Sequence, residues 1–432
     1  MSFGAARSLG YTQTLSEGFP TVIASCFPAS GSARAVVQLA ARRVQRPVQR
    51  LAALATGLAV LACIALPSPG LAQPGALPLP VPPAINARAF VLIDFNTGQV
   101  LASQAADDRF EPASLTKLMT AYLTFNAIRQ KRLMPSLVVP VSDHARKAEG
   151  SRMFIEQRIP VTVDELMRGM IIQSGNDASI ALAEAVAGGE DAFAGAMTRE
   201  AQRLGMKNTA FMNSTGLPDP RHFSTAMDLS RLAASIIRDF PEFYSLYSQR
   251  DFTYNKIKQA NRNRLLWLDP SVDGMKTGFT EAAGWCLVTS AKRGERRLIS
   301  VVMGAPSESA RISESQKLIN YGFQFFDNFR LYAARQPVAS LEVWKGSARQ
   351  VQAGFETDLL ATLPAGAGSR VKADLESVQP LLAPIAAGQK VGTLKLTLDG
   401  RAIGEYPVVA LQAVEGANLF RRTWDSVRLM FK

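Results

Sequence analysis

A serine and a lysine three residues apart, Ser114-Leu-Thr-Lys117, stand near the front of an apolar stretch that runs from Pro112 to Phe125. On a helix, positions i and i+3 share a face, so the hydroxyl and the amine come within hydrogen-bond reach: a nucleophile beside a base. Pro112, with no N–H to leave unpaired, suits a first turn, and the leucine, methionine and aromatic residues that follow favour continued helix. The spacing alone is weak. It recurs at Ser369 and Lys372, after Gly366 and Gly368 in a segment of β character, where period two sends residues three apart to opposite faces. The ordinary reading of Ser114 is a capping serine followed by a surface lysine. The rest of the chain must decide.

Two further short patterns each occur once. Ser174-Gly-Asn176 follows the apolar run Met170-Ile-Ile172, and Lys276-Thr-Gly278 lies within residues 272–280, ahead of a strand-like run at Cys286. Taken singly, these are an ordinary loop and an ordinary turn. In the order Ser-x-x-Lys, Ser-x-Asn, Lys-Thr-Gly, at intervals of 60 and 102 residues within one strand–helix–strand region, they argue against coincidence. Metal and thiol chemistry find little support. Of three cysteines, Cys26 and Cys63 belong to an expected leader, which leaves Cys286 without a partner, and His144 and His222 are too few for a histidine-rich zinc site. No metal and no cofactor are expected.

Residues 89–94 read as a strand, Asn96-Thr-Gly98 as a turn and residues 100–102 as the returning strand of a hairpin that leads to Ser114. Helical signals dominate from 115 to about 238. Within them Thr162-Val-Asp-Glu165 has the form of a capping box, and residues 179–187 and 191–204 continue in helix formers. Strand character returns over 251–257, 286–291 and 297–303, and residues 316–329 predict a final helix with Leu318, Ile319, Phe323 and Phe326 at helical spacing. Strands, helices, strands, helix predict an α+β domain over residues 86–336 whose sheet is formed by both ends of the domain. After Pro337, short runs between glycine-rich turns, with Asp399-Gly400 as a hairpin signal, predict a small all-β domain over 337–415.

The net charge of +12 is uneven: residues 1–72 carry six arginines, no lysine and one acid, Glu17, which leaves +7 for the remainder. No dense basic block is interleaved with aromatics, which argues against nucleic acid; a moderate excess suits a membrane or an acidic polymer. Arg42, Arg43, Arg46 and Arg50 precede an almost wholly apolar run over 51–66, and Gly70-Leu-Ala72 has small residues placed for cleavage before Gln73, the pattern of an export signal. The run is shorter than the ~20 residues of a spanning helix. Lipidation at Cys63 is the rival reading, disfavoured by the bulk of Leu61. The basic cluster lies far from Met1 and the next methionine is Met119, which points to a misassigned start codon. Residues 73–85, with five prolines, predict an extended linker without fixed fold. At the other end, residues 418–432 place Phe420, Trp424, Val427 and Phe431 on one side of a helix, flanked by Leu419 and Met430, and Arg421, Arg422, Arg428 and Lys432 across from it. Leu429 breaks the pattern. At ~1.5 Å per residue the segment is about 22 Å long, short of a ~30 Å hydrocarbon core. It reads either as a helix docked on its own β domain or as an in-plane membrane anchor over 416–432, and its basic, aromatic-rich character favours the anchor.

Together these residues resemble the penicillin-recognising serine enzymes, and more closely the low-molecular-mass penicillin-binding proteins that are D-alanyl-D-alanine carboxypeptidases. The likeness extends to Ala87-Arg-Ala-Phe-Val-Leu-Ile-Asp-Phe-Asn-Thr-Gly98, Asn213-Ser-Thr-Gly-Leu217 with His222-Phe-Ser-Thr225, Asn261-Arg-Asn263 with Leu265-Leu-Trp267, and residues 297–306. It covers residues 87–432, and the β domain and terminal helix resemble the membrane-attached branch. The resemblance implies a penicillin-binding transpeptidase-like fold, an antiparallel sheet with helices, on the periplasmic face of the inner membrane, with peptidoglycan stem peptides as substrate and β-lactams as inhibitors. It implies acyl transfer in two steps, in which Ser114 attacks the terminal D-Ala-D-Ala bond, expels D-alanine and holds an acyl-enzyme that water hydrolyses. Lys117 would be the base, its pKa depressed by burial and by Lys276. Ser174 would relay a proton to the leaving amine, and Asn176 would hold the substrate amide and orient Lys117. The backbone N–H groups of Ser114 and Phe279 would form the oxyanion hole. Lys276, Thr277 and Gly278 would meet the substrate's carboxylate end, with Arg311 matching a family arginine and Arg262 a further candidate. Class A β-lactamases share the motifs but deacylate through a glutamate and a water. No Glu-x-x-Leu-Asn lies between Ser174 and Lys276, where Glu242 precedes Phe-Tyr-Ser, so slow release of penicillin is expected. A DD-endopeptidase and a non-catalytic peptidoglycan-binding module are the alternatives.

Overall fold

Residues 80–430 are described by the structure, a computed structural model. The expected leader over 1–72, linker residues 73–79 and the helix-face residues Phe431 and Lys432 lie outside the described residues. Of the expected linker, the described end is held in place: Ile85 is buried, and the Tyr321 hydroxyl donates to the Pro80 carbonyl at 2.8 Å.

Ala89–Asp94 (β1) is buried at every position because both faces of its sheet are covered. Alternation divides it: Ala89, Val91 and Ile93 enter a large core made with the helices, while Phe90 and Leu92 enter a second core on the other face. Val100–Gln104 (β2) returns antiparallel. Five longer helices follow: Lys117–Arg129 (α1), Val163–Arg168 (α2), Asn176–Ala187 (α3), Glu190–Arg203 (α4) and Ala226–Asp239 (α5). The capping box is present at α2, with the Thr162 and Glu165 side chains each accepting from the other residue's backbone N–H.

The single strand expected over 251–257 is a hairpin, Asp251–Tyr254 (β3) and Ile257–Ala260 (β4). Asn255 and Lys256 both adopt positive φ, which closes a two-residue turn. Val272–Thr280 (β5), Gly284–Arg293 (β6) and Arg296–Ala305 (β7) complete an antiparallel sheet of order β2-β1-β7-β6-β5. The Lys276-Thr-Gly278 motif therefore lies in an edge strand. The last helix of the domain is Glu308–Phe325 (α6), begun eight residues before the expected 316 and ended before 329. Ser307 caps it by accepting from the Ala310 N–H, a signal hidden because the first turn is polar. Phe326, although at helical spacing, turns extended and opens a strand.

That strand, Phe326–Tyr332 (β8), shifts the start of the β region from Pro337 to Phe326, since it pairs with Leu359–Pro364. Pro337–Trp344 (β9), Gln350–Gly354 (β10), Leu359–Pro364 (β11), Val371–Ser377 (β12), Leu381–Leu382 (β13), Lys390–Leu398 (β14) and Arg401–Ala410 (β15) follow, six of them in a sheet of order β12-β14-β15-β10-β9-β13. Asp399 and Gly400 make the expected turn, both with positive φ. The second Ser-x-x-Lys is split between a 3-10 turn at Ser369 and β12 at Lys372, both exposed, so it does not sit on a single strand. Leu419–Leu429 (α7) closes the described chain.

Candidate active site

Ser114 stands in a single 3-10 turn, Ala113–Thr116, and Lys117 is the first residue of α1. Pro112 is the cap of that turn rather than its first helical residue, and the tight turn still brings the Lys117 amine to 3.0 Å from Ser114 Oγ. The same amine donates to Asn176 Oδ1 and to the Thr215 carbonyl, each at 2.6 Å. Lys117 is 1% exposed, and its burial lowers the amine's pKa from the usual lysine range to about 7. The expected contribution of Lys276 to this depression is not what carries it; burial does, and Asp177 and Glu190 oppose it. A neutral amine keeps two N–H donors and a lone pair, so the Ser114 O–H can donate across the 3.0 Å contact.

A π turn at Gly169–Gln173 precedes Ser174, which takes the left-handed conformation at φ 67° and is 4% exposed. Asn176 then starts α3; its Nδ2 donates to the Glu149 carbonyl at 2.6 Å and its backbone N–H to the Ser151 carbonyl at 2.6 Å. From the opposite side β5 supplies Lys276 and Thr277, both buried. Gly278 lets this edge strand lie against the serine turn: a Cβ there would stand 3.1 Å from the Pro112 carbonyl and 3.3 Å from Ala113 Cβ. Burial pushes the Lys276 pKa well below the lysine range, with the charges of Lys117, Arg262 and Arg311 adding to it. Phe279 is half-exposed against Trp285, ring centroids 4.3 Å apart. Arg311, on α6, lies over the other side chain of that pair, 4.8 Å from the Trp285 ring, and donates to the Gly278 carbonyl at 3.3 Å and to Glu308 at 2.9 Å.

A cleft of about 200 Å³ is lined by Ser114, Ser174, Thr277, Gly278, Phe279, Arg262 and Arg311, among others. Lys117 and Asn176 join it through their hydrogen bonds, and Lys276 through β5. The three motifs, Phe279 and the arginines Arg262 and Arg311 thus converge on one place. Among the described residues no cluster of histidine, cysteine or carboxylate side chains is arranged to hold a metal.

Residues 78–307 match the family model for D-alanyl-D-alanine carboxypeptidase, peptidase family S11, and residues 326–416 match that for the C-terminal domain of penicillin-binding protein 5. The chain belongs to the S11 family. The D-alanyl-D-alanine carboxypeptidase DacC of Escherichia coli is 41% identical over 357 residues, 81% of this chain and 89% of the relative. DacF of Bacillus subtilis is 36% identical over 339 residues, 77% and 87% of the two chains. Among solved structures, penicillin-binding protein 5 of Haemophilus influenzae superposes with a TM-score of 0.75 at 41% identity, over 78% of this chain and 99% of that one. The second family match begins where β8 begins, in agreement with the shifted start of the β region.

Three supports of this S11 site had no assigned role in the sequence reading. The Thr215 carbonyl is a main-chain group and carries no side-chain signature; its only trace was the resemblance at Asn213-Ser-Thr-Gly-Leu217. Gly216 is required there, at φ +83° with the Ala113 carbonyl oxygen only 1.8 Å from where a Cβ would stand. Asp177 is buried and accepts from the backbone N–H groups of Met153, Phe154 and Ile155 at 2.8–3.2 Å, which fixes the segment behind Ser151. His222 accepts from the Met212 N–H at Nδ1, so its Nε2 carries the proton and donates to Thr116 Oγ1 at 2.9 Å. Burial lowers its pKa to about 4, which keeps the ring neutral.

Proposed function

We propose that this S11 family member is a penicillin-sensitive serine carboxypeptidase that removes the terminal D-alanine from peptidoglycan pentapeptides. The observation that carries the reading is the buried Lys117 amine, with a pKa of about 7, held 3.0 Å from Ser114 Oγ. Neutral Lys117 takes the Ser114 proton as Oγ adds to the carbonyl of the D-Ala-D-Ala bond, and the backbone N–H groups of Ser114 and Phe279 receive the developing oxyanion. Ser174 passes a proton to the departing D-alanine amine, while Asn176 orients Lys117 and holds the substrate amide. The ester on Ser114 is then hydrolysed by water. Lys276, Thr277 and Arg311, with Arg262 beside them, hold the terminal carboxylate, whose negative charge favours the protonated form of Lys276 against the burial and neighbouring cations that disfavour it.

Slow release of penicillin belongs to the same reading, because no Glu-x-x-Leu-Asn lies between Ser174 and Lys276 to supply the deacylating glutamate of the class A β-lactamases. Incubating the protein with pentapeptide and crosslinked muropeptides, followed by mass spectrometry, tests the reading. Loss of one D-alanine that disappears in Ser114→Ala is expected. Loss of the crosslink would make it an endopeptidase, and no change would make it a binding module.

The site acts outside the cytoplasm, next to a membrane surface. Among the described residues no helix is long and apolar enough to cross a membrane. Helix α7 docks through its polar side: Asp425 accepts from the Lys345 N–H at 2.7 Å, Arg421 donates to the Ser347 carbonyl at 3.1 Å, and Leu429, out of register with the apolar face, is half-buried and lines a pocket together with Trp344. Leu419, Phe420, Trp424 and Met430 stay exposed, which supports insertion of that face into a bilayer surface. Sedimentation with anionic vesicles is expected for the full chain and lost on truncation after residue 417; equal sedimentation of both would refute the anchor.

A further inference from the structure

The loop over residues 213–217 gives the Lys117 amine one of its two acceptors as a bare main-chain carbonyl, so the position of that carbonyl depends on what holds the loop. Inside the loop, Asn213 Oδ1 accepts from the Thr215 N–H at 3.2 Å, the Thr215 hydroxyl at 3.0 Å and the Gly216 N–H at 2.7 Å. From α1, the Thr120 hydroxyl donates to the Ser214 carbonyl at 2.7 Å. A third support comes from Glu190, the first residue of α4, whose Oε1 accepts both the Ser214 N–H at 2.9 Å and the Ser214 hydroxyl at 2.5 Å. The Glu190 side chain is only 15% exposed, and its other oxygen faces His144 Nε2 at 3.7 Å. A loop anchor needs an acceptor but not a charge; glutamine would supply the same oxygen.

We propose that Glu190 is a positioning residue for the catalytic base: Oε1 fixes Ser214 and through it the Thr215 carbonyl against the Lys117 amine, while the carboxylate charge favours the protonated form of that amine. The inference rests on reading Lys117 as the base. Its electrostatic half agrees with the direction in which Glu190 acts on Lys117, against burial. Other charged groups are near on every side. Asp143, His144, Lys147 and Glu149 line the same pocket as Glu190, and Glu184 faces His144 Nδ1 at 3.9 Å. Asp177 acts on Lys117 as well, and Lys117 in turn acts on Lys276 and His222. Lys147 and Asp143 pair with each other and are both more than half exposed, which leaves their fields screened by solvent. Asp177 holds four backbone N–H groups across both its oxygens, so Glu190 is the charge that can be removed with its hydrogen bonds kept.

The test is the rate of acylation by a fluorescent penicillin between pH 5 and 9, on the full chain, for wild type, E190Q, E190A, S214A and S114A. Removing the charge lowers the Lys117 pKa further, so the acid limb of the E190Q profile moves to lower pH. A shift of about half a unit makes E190Q about threefold faster than wild type well below the limb. E190A loses the acceptor as well, and its high-pH rate falls about tenfold in the acylation step with little change in penicillin binding; S214A falls by less. An E190Q profile that overlays wild type, or an E190A plateau equal to wild type, overturns the proposal. If E190A fails to fold, E190Q and S214A carry the test. Acylation of S114A would overturn the reading of the site, and this proposal with it, which distinguishes that failure from the first.

Discussion

In the proposed reaction Lys117 has to be both buried and proton-free at the moment Ser114 attacks, and these two demands are one, since burial is what lowers its pKa to about 7. The sign follows directly. Below that value the amine is protonated and cannot take the serine proton, so kcat/KM falls about tenfold per pH unit on the acid side and levels off above. A pH–rate profile on a soluble D-Ala-D-Ala peptide checks it; a flat profile between pH 5 and 8 would exclude Lys117 as the base. Lys117→Arg keeps the charge and loses the proton acceptor, and a fall of about 10³ in acylation rate is expected, measured with labelled penicillin. Residue types and spacing made this pair readable, because i and i+3 on a helical turn is a local relation. The counterweights Asp177 and Glu190 were not readable: Asp177 sits next to a motif residue without being part of it, and Glu190 reaches the site through Ser214.

The elements that carry these residues meet at places where a Cβ has no room. Gly216 approaches the Ala113 carbonyl and Gly278 approaches Pro112 and Ala113, so the loop over 213–217 and strand β5 both press on the serine turn. Gly216→Ala meets both a forbidden φ and a backbone clash. It is expected to destabilise by about 3 kcal/mol, seen in the urea midpoint, and to slow acylation because the Thr215 carbonyl must move. An unchanged midpoint would show that the loop is free to adjust. Strand and helix existence was largely legible from periodicity, as β1 and the capping box of α2 illustrate. Failures came where local pattern and tertiary pairing disagreed: Lys276-Thr-Gly278 looks like a turn and is an edge strand held by β6, and Phe326 fits a helix yet pairs as β8.

At the scale of the molecule, Asp94 ties the catalytic sheet to the β region. It is fully buried at the end of β1 and accepts from Arg296 at 3.0 Å, from Asn328 of β8 at 3.1 Å and from the Asn96 N–H at 2.9 Å. The Thr97 and Thr362 hydroxyls meet at 2.6 Å beside it. Asp94→Ala leaves the Arg296 charge buried without this partner, and a loss of about 3 kcal/mol is expected by calorimetry, with penicillin acylation at 25 °C retained because the cleft is lined by other residues. A melting temperature equal to wild type would show that solvent reaches Arg296. The sequence by itself determined the candidate pair Ser114 and Lys117, the order of the motifs, the existence of strand β1 and that of a separate β region, all of which rest on contacts within a few residues or on residue type. Only the tertiary structure decided that Lys117 is dry, that its acceptors come from 59 and 98 residues further along the chain, and that β8 belongs to the second domain. Burial and long-range pairing are properties of the packed chain, and no local pattern encodes which distant carbonyl will stand beside a given amine.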